Sequence, residues 1–145
     1  MSESTALFLA CVERYEQAMG RLETGLRPGD GLFGFGNDPK RSPCHMDFYN
    51  EVGRVAARLA EEGCPPEEAA EAVELLLTMG EKFGRRLTQP MMEAVQGHAL
   101  PLIPLLTCEQ ARAMAGRYAL RYPRRKRLPV QNQVFLALER RANGR

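Results

Sequence analysis

Residues 65–83 of the chain read PPEEAAEAVELLLTMGEKF, and this stretch decides the class of fold. Two prolines followed by Glu67 and Glu68 are typical of a helix N-terminus, because proline suits the first turn and the helix dipole favours carboxylates there. Apolar residues then recur every three or four positions, which is the spacing of one face of an α-helix. The stretch therefore predicts a helix whose buried face consists of Ala69, Val73, Leu76, Met79 and Phe83.

The same helical spacing covers most of the remaining chain, and no segment keeps the alternation of a β-strand for long. Ser42 and Pro43 are expected to open a helix, and Thr107 with Gln110 predicts a capping box. The predicted fold class is all-α, a compact bundle or orthogonal array of about six helices with one long Gly-rich loop at residues 25–41. The helices are expected at about 5–23, 43–62, 66–83, 88–100, 107–122 and 130–142.

Each of the other five helices carries an apolar stripe that we expect to face a common core. The stripes are Phe8, Val12, Tyr15, Met19 and Leu22; Phe48, Val52, Val55 and Leu59; Met91, Val95 and Ala99; Ala111, Met114 and Tyr118; and Val134, Phe135 and Leu138. With 145 residues, of which 44% are hydrophobic, the chain has the size and composition of one globular domain over residues 1–145.

The sequence gives no sign of export or of membrane insertion. Its longest apolar stretch, from Ala99 to Leu106, is interrupted by prolines and is far shorter than the roughly 20 residues that span a bilayer. Glu3 stands where a signal peptide requires Lys or Arg. The cysteines have neither the spacing of a disulfide framework nor that of a zinc site, so we expect a cytoplasmic protein with reduced thiols at Cys11, Cys44, Cys64 and Cys108.

Charge is divided unequally along the chain. Residues 1–100 carry ten Lys and Arg against sixteen Asp and Glu, whereas residues 101–145 carry ten against two. An acidic body with a net charge of −6 is thus followed by a basic C-terminal part with a net charge of +8, within a total of +2. This separation predicts either an anionic partner or neutralisation of one part by the other.

The basic C-terminal part contains a cluster of cations that we interpret as a binding site for nucleic acid phosphates. Tyr118 and Tyr122 lie beside the arginines at helical spacing and suit stacking on bases. The predicted nucleic-acid-binding residues are Arg117, Arg121, Arg124, Arg125, Lys126 and Arg127. The alternatives are a membrane or acidic protein surface, or neutralisation within the chain or across a dimer by Glu61, Glu62, Glu67, Glu68, Glu71 and Glu74.

The Gly-rich loop contains three large apolar side chains, Leu32, Phe33 and Phe35, which are costly to leave in water. We expect them to be buried either as a lid on the helices or as partner-binding residues in self-association or another protein contact. The loop also matches G-x-G-x-x-G from Gly29 to Gly34. Dinucleotide sites need a strand before these glycines, so we predict no nucleotide cofactor.

Cys44 and His45 are the residues that would most readily suggest catalysis, since a thiolate is stabilised at a helix N-terminus. Adjacent residues of a helix point about 100° apart, however, so His45 is badly placed as a base for Cys44, and His98 would need a tertiary contact. No spacing of cysteine, histidine and carboxylate is that of a metal site. The sequence therefore favours a protein without catalytic residues, metal or cofactor.

Two functional hypotheses follow from these patterns. The favoured one is a small, non-enzymatic helical protein whose Arg-rich C-terminal surface contacts nucleic acid phosphates. The second is a protein interaction or scaffolding module that self-associates through the loop at 29–36 and the acidic helix 66–83.

Overall fold

The computed structural model describes residues 2–25, 43–83 and 89–144. Within these ranges it contains six α-helices and no β-strand, so the predicted all-α class is confirmed. Single turns of 3-10 helix lie at Gly97–Ala99, Ile103–Leu105 and Arg124–Lys126. The helices are α1 (Glu3–Gly25), α2 (Cys44–Glu62), α3 (Pro66–Phe83), α4 (Gln89–Gln96), α5 (Cys108–Arg121) and α6 (Pro129–Ala142).

The helices pack in two main pairs joined by a central segment. α1 packs chiefly against α2 and also against α3, whereas α5 packs chiefly against α6. α4 and the 3-10 turn after it lie among α2, α3 and α6. The buried apolar side chains of all six helices form one cluster, whose fully buried members include Phe8, Leu76, Met79, Leu102 and Leu138.

The buried face of α3 agrees with the prediction from its sequence. Ala69, Val73, Leu76 and Met79 are all 0% exposed, while the side chain of Phe83 lies outside the described residues. Of the glutamates whose side chains are described, Glu67 and Glu71 are exposed and Glu68 and Glu74 are half-buried. The apolar periodicity of α3 therefore predicts correctly which of its faces is buried and which carries charge at the surface.

The buried face of α2 agrees only in part with the predicted one. Phe48 and Val52 are buried as expected, but Val55 and Leu59 are half-buried at the edge of the core, and His45 and Ala56 are buried in their place. The helix is thus rotated slightly from the predicted orientation where it packs against α1. Sequence spacing does not contain that tertiary information.

Local signals at the helix ends are largely confirmed. Gly63 closes α2 with φ of 76°, a conformation that favours glycine, and its N–H donates to the Leu59 carbonyl over 2.8 Å. Thr107 and Gln110 form the predicted capping box of α5. Pro43 was predicted to be the first residue of the helix. In the structure α2 begins at Cys44, and Pro43 is the N-cap residue that precedes it.

The fourth helix is shorter than predicted. α4 ends at Gln96, and the next residues continue as a 3-10 turn from Gly97 to Ala99. The helical spacing of the apolar residues is still obeyed, since Val95 and Ala99 are both fully buried. A 3-10 turn advances by about three residues rather than 3.6, so a periodic pattern alone does not separate it from the last turn of an α-helix.

Hydroxyl groups at the start of α1 hold it to α3. The Thr5 hydroxyl donates to the Glu71 carboxylate over 2.7 Å, and the Ser2 N–H donates to the same carboxylate over 3.3 Å. Ser4 makes a further bond to Glu68. The Thr5 bond, together with that of the Ser2 amide, lowers the pKa of the Glu71 carboxyl. Two glutamates of the acidic block are therefore engaged by α1.

None of the helices in the described ranges has a stretch of apolar residues long enough to cross a bilayer. The four cysteines, which all lie in these ranges, are free thiols.

His98 is packed tightly between two residues of α2. Its ring lies 4.3 Å, centroid to centroid, from the ring of Tyr49 and hydrogen-bonds to the Tyr49 backbone. Its Nε2 atom is buried and has no hydrogen-bond partner among the described residues, and burial lowers the pKa of the ring. On the other side, a Cβ atom added to Gly53 would be 2.7 Å from the His98 Cε1 atom. Gly53 is therefore the residue that makes room for the ring.

We predict that Leu76→Ala lowers the free energy of unfolding by about 2–5 kcal/mol, because it opens a cavity in the core. Leu136→Ala is the matched control, since Leu136 is 44% exposed and its truncation should change stability by less than about 0.5 kcal/mol. Chemical denaturation of both variants measures the difference. Equal stability of the two variants would contradict the assigned core.

We predict that two Gly→Ala changes in helices have opposite signs. Gly53→Ala should destabilise by about 1–3 kcal/mol, since the new methyl group would overlap the His98 ring. Gly116→Ala should stabilise by about 0.4–1 kcal/mol, because nothing lies within 4 Å of its added Cβ and alanine restricts the unfolded chain. The midpoints of chemical denaturation give both signs, and a stabilising Gly53→Ala would show that the ring is free to move.

Candidate functional site

The predicted cationic residues lie at the junction of α5 and α6. Arg117 and Arg121 occupy the last turns of α5, and the chain then passes through Pro123 into the 3-10 turn at Arg124–Lys126. Arg127 follows, one residue before the flanking Leu128 of α6. The side chains of Arg117, Arg121, Arg124, Arg125 and Lys126 are exposed, while Arg127 is half-buried.

Arg127 stabilises the turn between α5 and α6. Its Nε atom donates to the Tyr122 carbonyl over 2.7 Å, and its guanidinium carbon lies 3.9 Å from the centroid of the Phe135 ring. Such a contact combines hydrogen bonding with cation–π attraction. Phe135, which was predicted to be buried, is half-buried at the edge of the core, and Arg127 packs against its ring. Arg127 thus fixes the end of α5 relative to α6.

The start of α6 adds a second restraint to the same turn. The N–H of Leu128 donates to the Gln131 side chain over 3.0 Å, and the N–H of Lys126 donates to the Pro123 carbonyl over 2.8 Å. Pro123 and Pro129 bound the segment and fix two φ angles. The basic side chains therefore extend from a constrained backbone.

Glu74 is the one residue of the acidic block that pairs with the cationic cluster within the described part of the chain. Its carboxylate lies 2.8 Å from a terminal nitrogen of Arg117. Glu62 pairs instead with Arg58 of its own helix. The described residues contain no ion pair of Arg124, Arg125 or Lys126. Among the described side chains, α3 therefore neutralises Arg117 and pairs with none of Arg124, Arg125 and Lys126.

A cleft of about 300 Å³ lies between α3 and the C-terminal half of α5. Leu77, Met114 and Tyr118 line it and are almost entirely buried, which gives the cleft an apolar floor. Its remaining walls are polar and contain both acidic and basic groups, namely Glu74, Thr78, Arg117, Arg121 and Tyr122. Two of the predicted cationic residues thus line a cavity.

Gln96 fixes the two tyrosines of the cleft. The Tyr118 hydroxyl donates to the Gln96 side-chain oxygen over 2.6 Å, and the Gln96 amide donates to the Tyr122 hydroxyl over 3.1 Å. The two rings lie 4.9 Å apart, centroid to centroid. Burial raises the pKa of Tyr118 far above its usual value, so this hydroxyl keeps its proton.

Sequence reasoning identified the arginines and tyrosines of this cleft but missed the residues that complete it. Gln96 belongs to α4, some twenty residues earlier, and it is 4% exposed. Only its polarity within a buried stretch could have indicated a structural hydrogen bond. Thr78 and Leu77 looked like ordinary positions of α3.

The residues that suggested thiol catalysis make different contacts in the fold. His45 hydrogen-bonds through Nδ1 to the Tyr15 hydroxyl over 2.5 Å, inside the core. The Cys44 sulfur contacts the Met19 sulfur at 3.6 Å. His98 lies against Gly53, which is nine residues from Cys44 and so roughly 14 Å along α2. This histidine therefore cannot serve as a base for the thiol.

The remaining predicted site lies in a part of the chain that the structure does not describe. Leu32, Phe33 and Phe35, the predicted partner-binding residues, lie outside the described residues. In the described ranges, no group of three or more histidine, cysteine and carboxylate side chains is arranged to hold a metal ion.

Comparison of the chain with protein-family models, curated proteins and solved structures gives no match. A functional argument for this protein must therefore come from its own residues.

We predict that Gln96→Leu destabilises the protein by about 1–3 kcal/mol, because it leaves the buried Tyr118 hydroxyl without an acceptor. Adding Tyr118→Phe to that variant should recover part of the loss, since the orphaned hydroxyl is then removed as well. Denaturant unfolding of the single and double variants measures this coupling. Gln133→Leu, at an exposed position of α6, is the control for the same change of side chain. Additive effects of the two changes would contradict the hydrogen-bonded arrangement.

Proposed function

We propose that this protein is a non-enzymatic binding protein that contacts nucleic acid phosphates through a basic turn, which we define as Arg121, Arg124, Arg125 and Lys126. The observation that carries the proposal is the exposure of Arg124, Arg125 and Lys126, which make no ion pair with any described residue. Uncompensated cations held together on a surface attract a polyanion and release its counterions on binding.

The fixed backbone of the turn supports this proposal. Two prolines, the Arg127 contacts and the internal hydrogen bond of the turn restrict the positions of the cationic side chains before any ligand arrives. Less conformational entropy is then lost on binding than in a flexible basic tail. A 3-10 helix has about three residues per turn, so successive side chains point about 120° apart and can reach more than one phosphate.

The distribution of the other arginines also supports the proposal. Arg112 donates to the Ala142 carbonyl over 3.0 Å, and Arg141 donates to the Leu106 carbonyl over 2.6 Å. Arg127 braces the turn, and Arg117 is paired with Glu74. These residues use their charge within the protein. Arg124, Arg125 and Lys126 make no such contact within the described residues, and together in one turn they offer their positive charge to a ligand.

We predict that affinity for duplex DNA falls steeply with salt concentration, with a log–log slope of about −3 to −4 for four neutralised phosphates. Changing both Arg124→Ala and Arg125→Ala should weaken binding of unrelated sequences about equally and flatten the slope by about 1.8. Fluorescence anisotropy with labelled oligonucleotides at several salt concentrations measures both effects.

The double variant Arg54→Ala and Arg58→Ala is the control for net charge. Both residues are exposed on α2, and their removal changes the charge by the same amount. If this control weakens binding as much as the change in the turn, the interaction is one of total charge and not of this site. Absence of binding by the unaltered protein at about 50 mM salt would show that the proposed function is wrong.

A further inference from the structure

We propose that the cleft between α3 and α5 accepts one unstacked base of a single-stranded nucleic acid whose backbone lies on the basic turn. This inference rests on the proposed phosphate binding and specifies the class of nucleic acid. A duplex keeps its bases paired and stacked inside, so it could occupy the turn but not the cleft.

The cleft and the turn are adjacent along the backbone. Tyr122 lines the cleft, and Arg124 begins the 3-10 turn two residues later. Consecutive Cα atoms are 3.8 Å apart, so the Cα atoms of these two residues are at most about 7.6 Å apart. Arg121 belongs to both features, since it lines the cleft and is exposed at the end of α5. A nucleotide with its phosphate on the turn can therefore direct its base towards the cleft.

The shape and the floor of the cleft suit an aromatic ring system. A volume of about 300 Å³ is at the lower end of the range for small-molecule clefts, which is appropriate for a single base. Leu77 and Met114 provide apolar contacts, and Tyr118 and Tyr122 provide aromatic ones. The Arg121 guanidinium carbon lies 5.9 Å from the centroid of the Tyr122 ring. Stacking on tyrosine and arginine is the usual means by which proteins hold unpaired bases.

The polar wall offers both kinds of hydrogen-bonding group. Glu74 is an acceptor and Arg117 a donor, and their ion pair is partly exposed at 44% and 58% of the two side chains. Surface ion pairs of this kind contribute little stability, so either partner can turn to a ligand at low cost. The edge of a base presents amino donors and carbonyl or ring-nitrogen acceptors, which match this wall.

The charge around the cleft is complementary to a nucleotide of a strand. Glu74 is paired with Arg117, Arg121 also lines the cleft, and the exposed cations Arg124, Arg125 and Lys126 follow beyond it. The phosphate of the nucleotide would thus be bound at the entrance of the cleft, and its uncharged base would lie inside. The fixed tyrosine hydroxyls also keep the floor open in the absence of ligand, since both bond to Gln96.

The test compares a labelled single-stranded oligonucleotide with the same strand from which all bases have been removed. Both carry the same phosphates, so a protein that binds phosphates alone should bind them equally. We expect the unaltered protein to bind the intact strand about 5- to 150-fold more tightly by fluorescence anisotropy. Tyr122→Leu should abolish this preference, whereas Tyr122→Phe should retain it.

The possible outcomes separate this inference from the function on which it rests. Equal binding of the two strands by the unaltered protein would overturn base insertion while leaving phosphate binding intact. Failure to bind either strand, or a duplex, would overturn both. The comparison of strands needs no variant, so it decides the question even if Tyr122→Leu does not fold. If that variant folds and still prefers the intact strand, the base lies elsewhere and the inference is wrong.

Discussion

The buried face of α3 is the constraint on which the other elements depend. With Val73, Leu76 and Met79 fully buried, the rotation of this helix about its axis is fixed, and so are the directions of its glutamates. Glu71 consequently meets the first turn of α1, and Glu74 meets Arg117 of α5. A rotation that exposed the apolar face would lose several fully buried side chains, each worth about 1.5–3 kcal/mol. One hydrophobic stripe thus determines where the acidic side of the molecule can touch the basic side.

The arginines of the basic C-terminal part make three different kinds of contact in the fold. Arg112 and Arg141 satisfy carbonyl groups at chain segments where no backbone donor does so, and Arg127 stacks on an aromatic ring. Arg117 forms the link to α3. Arg124, Arg125 and Lys126 make no comparable contact within the described residues, and concentrating them in one turn costs electrostatic repulsion. A cost of this kind is expected where the charge serves a ligand rather than the fold.

The sequence was sufficient to predict those features that local physics determines. The buried face of α3, the glycine that ends α2 and the capping box at Thr107 all follow from spacing or from backbone chemistry. The sequence was not sufficient to predict how two helices pack against each other. The buried stripe of α2 depends on the position of α1, and Gln96 reaches Tyr118 only because α4 and α5 converge. The arginines of the site could be predicted from composition, but the cleft beside them is a product of tertiary packing.

The position of the basic turn at the C-terminus of α5 determines what kind of anion site it can be. Anion sites at helix N-termini use backbone amides and a favourable dipole, and they hold one phosphate in a defined geometry. Here the negative end of the α5 dipole faces the turn, which stabilises Arg121 in the free protein but gives nothing to an incoming phosphate. Binding energy must then come from long cationic side chains, whose contacts tolerate many phosphate arrangements and weaken with salt. In the proposed function, selection between nucleic acids would therefore come from the rigid groups nearby, the tyrosines held by Gln96.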